Sequence, residues 1–511
     1  GGAEPRDPSG EPLATRRPAR REEILLESGR ACQGRFRRAV LALSAAFLVL
    51  FGGFNAAQGL QTTLNGTWGN INLAVLYTTF TLCCIPAPGL VSSMEARGVP
   101  GRLALFVHGV AYVCMVLVNL LPVPPADHPS FAGKAAANVL CNFAVGLGAS
   151  VLWTTQNIYV GRNAMCAARC SPDGEGGVAA GEMASAFNAL FFMIYQFAGA
   201  FGTGASTLVV ALDRTDNSRT TLFLVLGAFA ALGTLSFLAI PPMPSAADCG
   251  VQRNPEEDGC RQCSRTLRLL ISDRRMALTA PLIFANGCFL AFAFGEYPKR
   301  VTATLGPDYS APAVLAFYAC NAGASWAWGA LLAAKRIAIA SAFWIATGLQ
   351  VGVFLLLIGA DLNLLPLFRE HYRENAHEKD IRKRWQLDPG GPPAWWEYLA
   401  PLLCICLAAV GDAVYESQIP AMLQSLFQDE RMAPAMANLK LWQSFGFAAQ
   451  YATFAAVQKA PFAMVQNGLV PLMCLASLFV VAFAAFAVVL HPVAFAAFAV
   501  VLHPVAFAAF A

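Results

Sequence analysis

Charged side chains crowd into three short segments, and this distribution constrains the fold more than any other feature of the sequence. Of the 35 Lys and Arg and the 31 Asp and Glu residues, 39 lie within residues 1–38, 242–276 and 361–397, which together make up 110 of the 511 residues. Long apolar tracts separated by short charged ones are typical of chains that cross a membrane several times. Soluble proteins carry about 25% charged residues, whereas this chain carries 13% and is 57% hydrophobic. The composition therefore excludes soluble globular, disordered and nucleic-acid-binding classes, and a net charge of +4 implies no nucleic-acid partner.

Twelve apolar tracts are long enough to cross the hydrocarbon core, which needs about 20 helical residues. They lie at residues 39–60, 71–91, 102–121, 135–159, 184–211, 220–241, 277–297, 311–333, 337–360, 398–420, 434–457 and 466–490. The residues before the first tract are polar and Arg-rich, so we expect no secretory signal peptide and an uncleaved first helix. The sequence thus predicts an all-α, multi-pass integral membrane protein whose main partner is the lipid bilayer.

Lys and Arg residues are distributed unevenly between the two sides of the membrane. With the N-terminus inside, cytoplasmic segments hold 22 of them and outside segments hold 12, of which six lie in the long loop 361–397. The positive-inside rule then places both termini in the cytoplasm. Either the plasma membrane or an endomembrane fits this orientation.

A hydrophilic stretch after the sixth tract divides the chain into two sets of six spans. Twelve spans with a long cytoplasmic loop at the midpoint are the layout of major facilitator transporters. The expected organisation is an Arg-rich cytoplasmic tail at 1–38, an N-terminal half at 39–241, a central loop at 242–276, a C-terminal half at 277–490 with the outside loop 361–397, and a repeat tail at 491–511.

An exact tandem repeat occupies the C-terminal end of the sequence. Residues 481–492 (VAFAAFAVVLHP) recur at 493–504, and residues 505–511 repeat the first seven. One repeat unit covers about 18 Å of helix, which is too short to span a bilayer. We interpret 491–511 as an artefact of the assembled gene sequence or a recent duplication, with an interfacial helix as the alternative.

Five short motifs stand on spans 1, 4, 5, 7 and 10 to 11. They read FNAAQGLQTTLNGTWGNINLAVLY (54–77), GLGASVLWTTQNIYV (146–160), FNALFFMIYQFAGAFG (187–202), AFAFGEYPKRV (291–301), and GDAVYESQIPAMLQSLF with NLKLWQSFGFA (411–427 and 438–448). In this order and on these spans, they resemble the uncoordinated-93-like proteins, a branch of the major facilitator superfamily. The resemblance runs from about residue 40 to residue 480.

The resemblance implies a facilitator fold and leaves two functions open. The first is a transporter that moves an unidentified small solute by alternating access, with its site between the two halves. The alternative is a non-transporting accessory protein, since members of this family have been assigned roles as regulators of potassium channels and escorts of other membrane proteins. Ser93 and Ala333 stand where general facilitators carry acids in their loop signature. These departures favour the accessory role, whereas polar residues within the spans favour transport.

Ionisable residues at bilayer depth are costly and are therefore candidates for function. Asp412 and Glu416 lie four residues apart on one face of span 10, and Lys440 lies on span 11 at a depth similar to that of Asp412. We predict an Asp412–Lys440 pair, with Glu416 nearer the cytoplasm. Such a pair is either a proton or cation site that titrates during transport or a static ion pair that joins two helices.

Side-chain amides recur along several spans. On span 1 they fall within an arc of about 120°, which predicts that this face borders a cavity or another helix. Such amides suit a polar, mostly neutral ligand, although amides also hold helices together in membranes. The amides that we predict to face a solute or ion pathway are Asn55, Gln58, Gln61, Gln156, Asn188, Gln196 and Asn286.

No motif indicates an enzyme, a cofactor or a metal site. The central loop offers three cysteines, whereas a structural zinc site needs four ligands. Nine of the fifteen cysteines lie within predicted spans, and the other six are cytoplasmic in this topology and are expected to be reduced. Asn65 begins a glycosylation sequon that faces outside, close to the membrane.

Overall fold

The computed structural model describes residues 13–65, 67–124, 128–170, 177–212, 218–245, 247–248, 259–361, 365, 368–374, 385–388, 390–427 and 431–457. The predicted span at 466–490 and the repeat tail at 491–511 lie outside these residues. The described chain is almost entirely helical. Its helices are α1 (Leu13–Asn65), α2 (Thr67–Cys84), α3 (Ala87–Ala96), α4 (Gly101–Val118), α5 (Phe131–Arg169), α6 (Gly177–Leu212), α7 (Ser218–Ser236), α8 (Gly259–Ser272), α9 (Arg274–Ala291), α10 (Tyr297–Leu305), α11 (Ser310–Ala333), α12 (Ile339–Asp361), α13 (Trp395–Leu426) and α14 (Met432–Val457).

The first eleven predicted spans all coincide with helices. Among the described residues, eight spans are long and apolar enough to cross a membrane, and the bent pair α2 and α3 makes a ninth. Helices α11 and α14 are also long, but they are less apolar. Both helices pack against several other helices of the bundle. Packing, rather than their own hydropathy, therefore keeps them in the bundle.

The two ends of the bundle carry different elements. Helix α8 lies at one end, where it packs against α3, and we call this the α8 end. The other end carries the short strands β1 (Tyr372–Glu374) and β2 (Trp385–Leu387), which pair antiparallel. The backbone N–H of His371 donates to the carbonyl of Ala303 (3.0 Å), which fastens this hairpin to α10. We call this the hairpin end.

Two halves meet mainly along two pairs of helices. The first half comprises α1 to α7 and the second comprises α9 to α14. Between the halves, α6 packs along α11 and α2 packs along α14. These two contacts hold the halves together on opposite sides and leave a space in the centre, which α1, α5 and α13 border.

Two of the predicted spans are interrupted. The second consists of α2 and α3, which meet at 60°; Pro86 lies at the break, where its ring and missing N–H end the helix. The seventh consists of α9, a π-helical segment at Phe292–Glu296, and α10. Such π-helical turns occur frequently at functional sites, and Phe294 from this one borders the central space.

Glycines create the closest approach between α9 and α14. A Cβ atom at Gly287 would lie 2.0 Å from the carbonyl oxygen of Gln443, and a Cβ atom at Gly446 would lie 2.2 Å from the carbonyl oxygen of Phe284. Two helix backbones come this near only because neither glycine has a side chain. The contact brings the neighbouring residues Asn286 and Gln443 side by side.

Cys32 of α1 and Cys170, at the end of α5, form a disulfide. The prediction that the cysteines outside the spans are reduced is therefore wrong for this pair. The physical reason is the length of α1. This helix begins at Leu13, well before the first predicted span at 39–60. This extension brings Cys32 beside the last turn of α5.

An ion pair closes the α8 end of the first half. The guanidinium of Arg162 (α5) donates to both carboxylate oxygens of Glu95 (α3) at 2.7 and 3.1 Å, and it also donates to the carbonyl of Pro244 (3.2 Å). Bidentate pairs of this kind are the strong ones. Ser93, which stands where general facilitators carry an acid, cannot form such an ion pair. Glu95, two residues later, forms it instead.

Asp273 caps the start of α9 at the same end. Its carboxylate accepts hydrogen bonds from the backbone N–H of Arg275 (3.0 Å) and from the guanidinium of that residue (2.7 Å). Hydrogen bonding to Arg275 lowers the pKa of Asp273. The cap therefore stabilises the fold at pH values above the ordinary Asp pKa of about 4. This contribution is lost as the pH falls through the lowered pKa of Asp273.

Candidate functional site

A cavity of about 80 Å³ lies between the two halves, with room for a handful of water molecules or one small solute. Five of the predicted pathway residues line it, namely Asn55, Gln58, Gln196, Glu416 and Lys440. Ten of its twenty lining residues are aromatic, so the wall is mostly apolar and its polar groups are few. The aromatic ones are Phe51, Phe54, Tyr77, Phe80, Tyr112, Trp153, Tyr195, Phe294, Tyr318 and Phe447.

The aromatic rings pack against one another as well as around the cavity. Trp153 meets Tyr195 edge to face with ring centroids 5.3 Å apart, and it lies 5.2 Å from the ring of Phe51. Between the halves, Tyr77 of α2 stacks on Phe447 of α14 with centroids 4.2 Å apart. Such ring pairs stabilise a fold by about 0.5–1.5 kcal/mol each, in addition to the stabilisation from the area they bury. The ring contacts therefore help to hold the wall of the cavity in place.

Beside the cavity, a chain of hydrogen bonds joins Asp412 to Glu416 through two amides. Asn286 donates to one carboxylate oxygen of Asp412 (2.6 Å), and the side chain of Gln443 donates both to the amide oxygen of Asn286 (2.9 Å) and to Glu416. Asn321 of α11 donates to the other oxygen of Asp412 (2.8 Å). The network therefore draws on four helices of the second half.

Lys440 connects this network to the first half. Its ammonium group donates to the amide oxygen of Gln443 (2.7 Å) and lies 4.2 Å from the centroid of the Trp153 ring on α5. A cation held over an indole ring away from water gains about 2 kcal/mol. The contact crosses the interface between the halves, so any movement that separates them at this level must break it.

The predicted Asp412–Lys440 ion pair is wrong. Within the described residues, Asp412 is bonded by the amides of Asn286 and Asn321, and Lys440 is bonded to Gln443. Similar depth along two neighbouring helices was the basis of the prediction, but depth does not specify the direction in which a side chain points. Lys440 faces the cavity and Trp153, while Asp412 points into the second half.

Asn321 and Gln443 complete the network but were not among the predicted residues. Gln443 lies three residues after Lys440 and therefore on the same helix face, which is a signal that could have identified it. Asn321 is the one side-chain amide in the predicted span 311–333, and polar residues within spans are candidates by default. Its partner on α13, however, could not be inferred from the sequence.

At the α8 end, side chains of the two halves bond to each other beyond the cavity. Ser185 of α6 donates to the amide oxygen of Gln418 (2.8 Å), and Asn188 donates to that of Gln424 (2.6 Å). Gln424 in turn donates to the backbone carbonyl of Asn157 on α5 (3.2 Å). The predicted residue Asn188 thus lies in a contact that closes this end of the interface.

Two predicted pathway residues lie away from the cavity. Gln61 and Gln156 are both fully buried, and within the described residues neither side-chain amide has a hydrogen-bond partner. Gln156 follows Trp153 by one helical turn on α5, below the cavity toward the α8 end. That both face a solute pathway stays a prediction.

We expect Asn65 to carry no glycan. Both atoms of its side-chain amide are buried and lack a hydrogen-bond partner within the described residues, so a chain that received a glycan on this nitrogen during synthesis could not reach the same fold. Expression in a glycosylating host followed by glycosidase treatment should leave the electrophoretic mobility unchanged, and Asn65→Gln should migrate like the parent protein. A mobility shift that Asn65→Gln removes would show that the sequon is used.

A family model described as "Ion channel regulatory protein UNC-93" matches residues 61–359. Among similar proteins, "UNC93-like protein 3" of Arabidopsis thaliana is 27% identical over 81% of this chain and 79% of its own length. "Protein unc-93 homolog A" of Danio rerio is 24% identical over 81% of this chain and 85% of its own length.

A solved structure supports the assignment of the fold. The partially occluded, inward-open xylose transporter XylE from E. coli superposes with a TM-score of 0.57 at 12% identity, covering 87% of this chain and 97% of that one. At this identity the likeness concerns the fold alone. The architecture is that of the major facilitator transporters, and the described residues supply six spans of the first half and five of the second.

Proposed function

Because the chain belongs to the UNC-93 family and has the fold of a multi-pass facilitator, we propose that it moves a small solute across a membrane by alternating access. The observation that carries the proposal is the cavity between the halves, which presents Glu416 and Lys440 among aromatic rings. Buried charges beside an internal cavity are expected of a solute pathway. The solute would bind there, with Asn55, Gln58 and Gln196 as further polar contacts.

The contacts between the halves support this mechanism. Hydrogen bonds from Ser185 and Asn188 to α13 close the α8 end, and the stacked rings of Tyr77 and Phe447 join α2 to α14 beside the cavity. These hydrogen bonds and the ion pair between Glu182 and Lys335 would have to break for the halves to separate at the α8 end. We propose that the α8 end faces the cytoplasm, since the segments at this end carry most of the Lys and Arg residues.

Locking the α8 end should stop transport. In the double variant Ser185→Cys and Gln418→Cys, a short bifunctional maleimide should join α6 to α13 and reduce solute uptake into proteoliposomes to background. The two single variants treated with the same reagent are the controls and should retain uptake, as should the untreated double variant. Full uptake after complete cross-linking would mean that this contact does not open during transport.

A second candidate function is the regulation or escort of another membrane protein. The observation that favours it is the family description itself, which names an ion channel regulatory protein. Purified protein reconstituted in liposomes and screened for solute uptake distinguishes the two functions. Absence of uptake for every solute, together with stoichiometric co-purification of a channel or receptor from native membranes, would replace transport by the accessory role.

A further inference from the structure

We propose that the central cavity binds a small organic cation, namely an ammonium group attached to a compact apolar group. The inference rests on the proposed transport function, because it names the class of solute for the same cavity. It is carried by the position of Glu416 at the end of a buried network with excess negative charge, next to a wall of aromatic rings.

The buried network holds more negative than positive charge. Asp412 and Glu416 are 0% and 7% exposed, and Lys440, which is 4% exposed, is the one cation that the described residues bring to them. Within the described residues, both oxygens of Asp412 accept hydrogen bonds from neutral amides and neither oxygen donates one, which is the pattern of an ionised carboxylate. A buried carboxylate with no countercharge is costly, so the site favours one additional positive charge.

Glu416 is the carboxylate that can meet a solute. It lines the cavity, whereas Asp412 does not. Within the described residues, the single hydrogen bond to Glu416 comes from Gln443 and uses one of its two oxygens. The second oxygen is therefore available to accept a hydrogen bond from an ammonium group in the cavity.

The wall of the cavity already accommodates an ammonium group. The Nζ atom of Lys440 lies 4.2 Å from the centroid of Trp153, where the ring quadrupole attracts a cation. Aromatic rings make up half of the lining, so further ring faces are available to the ammonium group of a solute. The same rings provide an apolar surface for the carbon chain of the solute.

Other classes of solute fit less well. An anion would bond to Lys440 but would add a third negative charge to Asp412 and Glu416. A zwitterion would leave the excess charge of the network uncorrected. The volume of about 80 Å³ limits the solute to a small molecule in this conformation.

The test compares three probes that share a five-carbon isopentyl group and differ in the charged groups attached to it. Isopentylamine is a cation, 4-methylpentanoate is the corresponding anion and leucine is the zwitterion. With the full chain in lipid nanodiscs, we expect isopentylamine to raise the midpoint of thermal unfolding in a saturable manner and the other two to have little effect. A larger shift with 4-methylpentanoate or leucine would overturn the proposal. So would a midpoint that responds to pH alone and never to the amine, which would indicate a proton as the missing charge.

Two substitutions in the cavity provide a second test that distinguishes a cationic solute from an anionic one. Glu416→Gln should weaken isopentylamine binding about tenfold or more, because it removes the countercharge. Lys440→Gln should leave the amine bound at least as tightly, because it removes a like charge. Binding of an anion would show the reverse order. Asp388→Asn, at an exposed ion pair with Arg373 in the hairpin, is the control and should bind like the parent protein. If Glu416→Gln does not fold, the three probes and Lys440→Gln still test whether the cavity binds a cation.

A counterflow assay with labelled isopentylamine separates this inference from the transport proposal. Saturable binding without exchange across a liposome membrane would contradict transport and leave the cation site standing. Uptake of another solute by a protein that binds no amine would overturn the cation site and leave transport standing. Exchange of the amine that Glu416→Gln abolishes and Asp388→Asn preserves is the expected result.

Discussion

We expect Gly287→Ala to destabilise the protein by on the order of 3 kcal/mol and to abolish transport, although it adds a single methyl group. The new Cβ atom would lie 2.0 Å from the backbone carbonyl of Gln443, and a backbone atom cannot move aside as a flexible side chain can. Helices α9 and α14 must separate, and the hydrogen bond between Asn286 and Gln443 then breaks. Thermal unfolding in nanodiscs and uptake by proteoliposomes measure the two effects.

Gly348→Ala is the matched control, because it makes the same change in helix α12. A Cβ atom at Gly348 would meet nothing within 4 Å. Alanine favours a helix over glycine by about 1 kcal/mol, so this variant should be as stable as the parent or slightly more stable. If both variants behaved alike, the contact between α9 and α14 would be looser than the structure has it.

We expect Gln443→Leu to lower stability by about 3–5 kcal/mol and to eliminate transport. Leucine fills a similar volume, but the change removes the partner of three groups at once. Lys440 and Glu416 each lose a hydrogen bond while they stay buried, and Asn286 loses the donor to its amide oxygen. A buried charge whose partner is removed keeps its full desolvation cost.

Gln350→Leu provides the comparison for this second variant. Gln350 of α12 is 4% exposed, much like Gln443, but within the described residues its amide nitrogen has no hydrogen-bond partner. Loss of that amide should cost little and can even stabilise the protein. Equal losses in the two variants would mean that burial, rather than the network, determines the effect.

Much of the architecture could be predicted from the sequence because the bilayer imposes a simple rule. A helix must be about 20 apolar residues long to cross, and the charged segment at 242–276 divided the spans into two halves. The same rule does not report what happens inside a span. The break at Pro86 and the π-helical turn before Tyr297 change the direction and width of a helix without changing its hydropathy.

The candidate site was predicted less completely. Asn55, Gln58, Gln196, Glu416 and Lys440 were expected from their polarity at bilayer depth and do line the cavity. Their partners were not, because a hydrogen bond between two helices depends on the rotation of both. Asn321 and Trp153 lie far from Asp412 and Lys440 in the chain and meet them only through tertiary packing.

The modest hydropathy of α14 has a consequence for the biosynthesis of the protein. A lysine opposes the insertion of a helix into the bilayer, by about 2.5–3.5 kcal/mol when it lies at the helix centre, and α14 carries Lys440, its ninth residue, close to Asn438 and Gln443. On its own, this segment is a poor candidate for insertion. Its residence in the bilayer depends on α2 and α9, which are synthesised earlier and pack against it. A defect in α9 can therefore leave α14 outside the membrane.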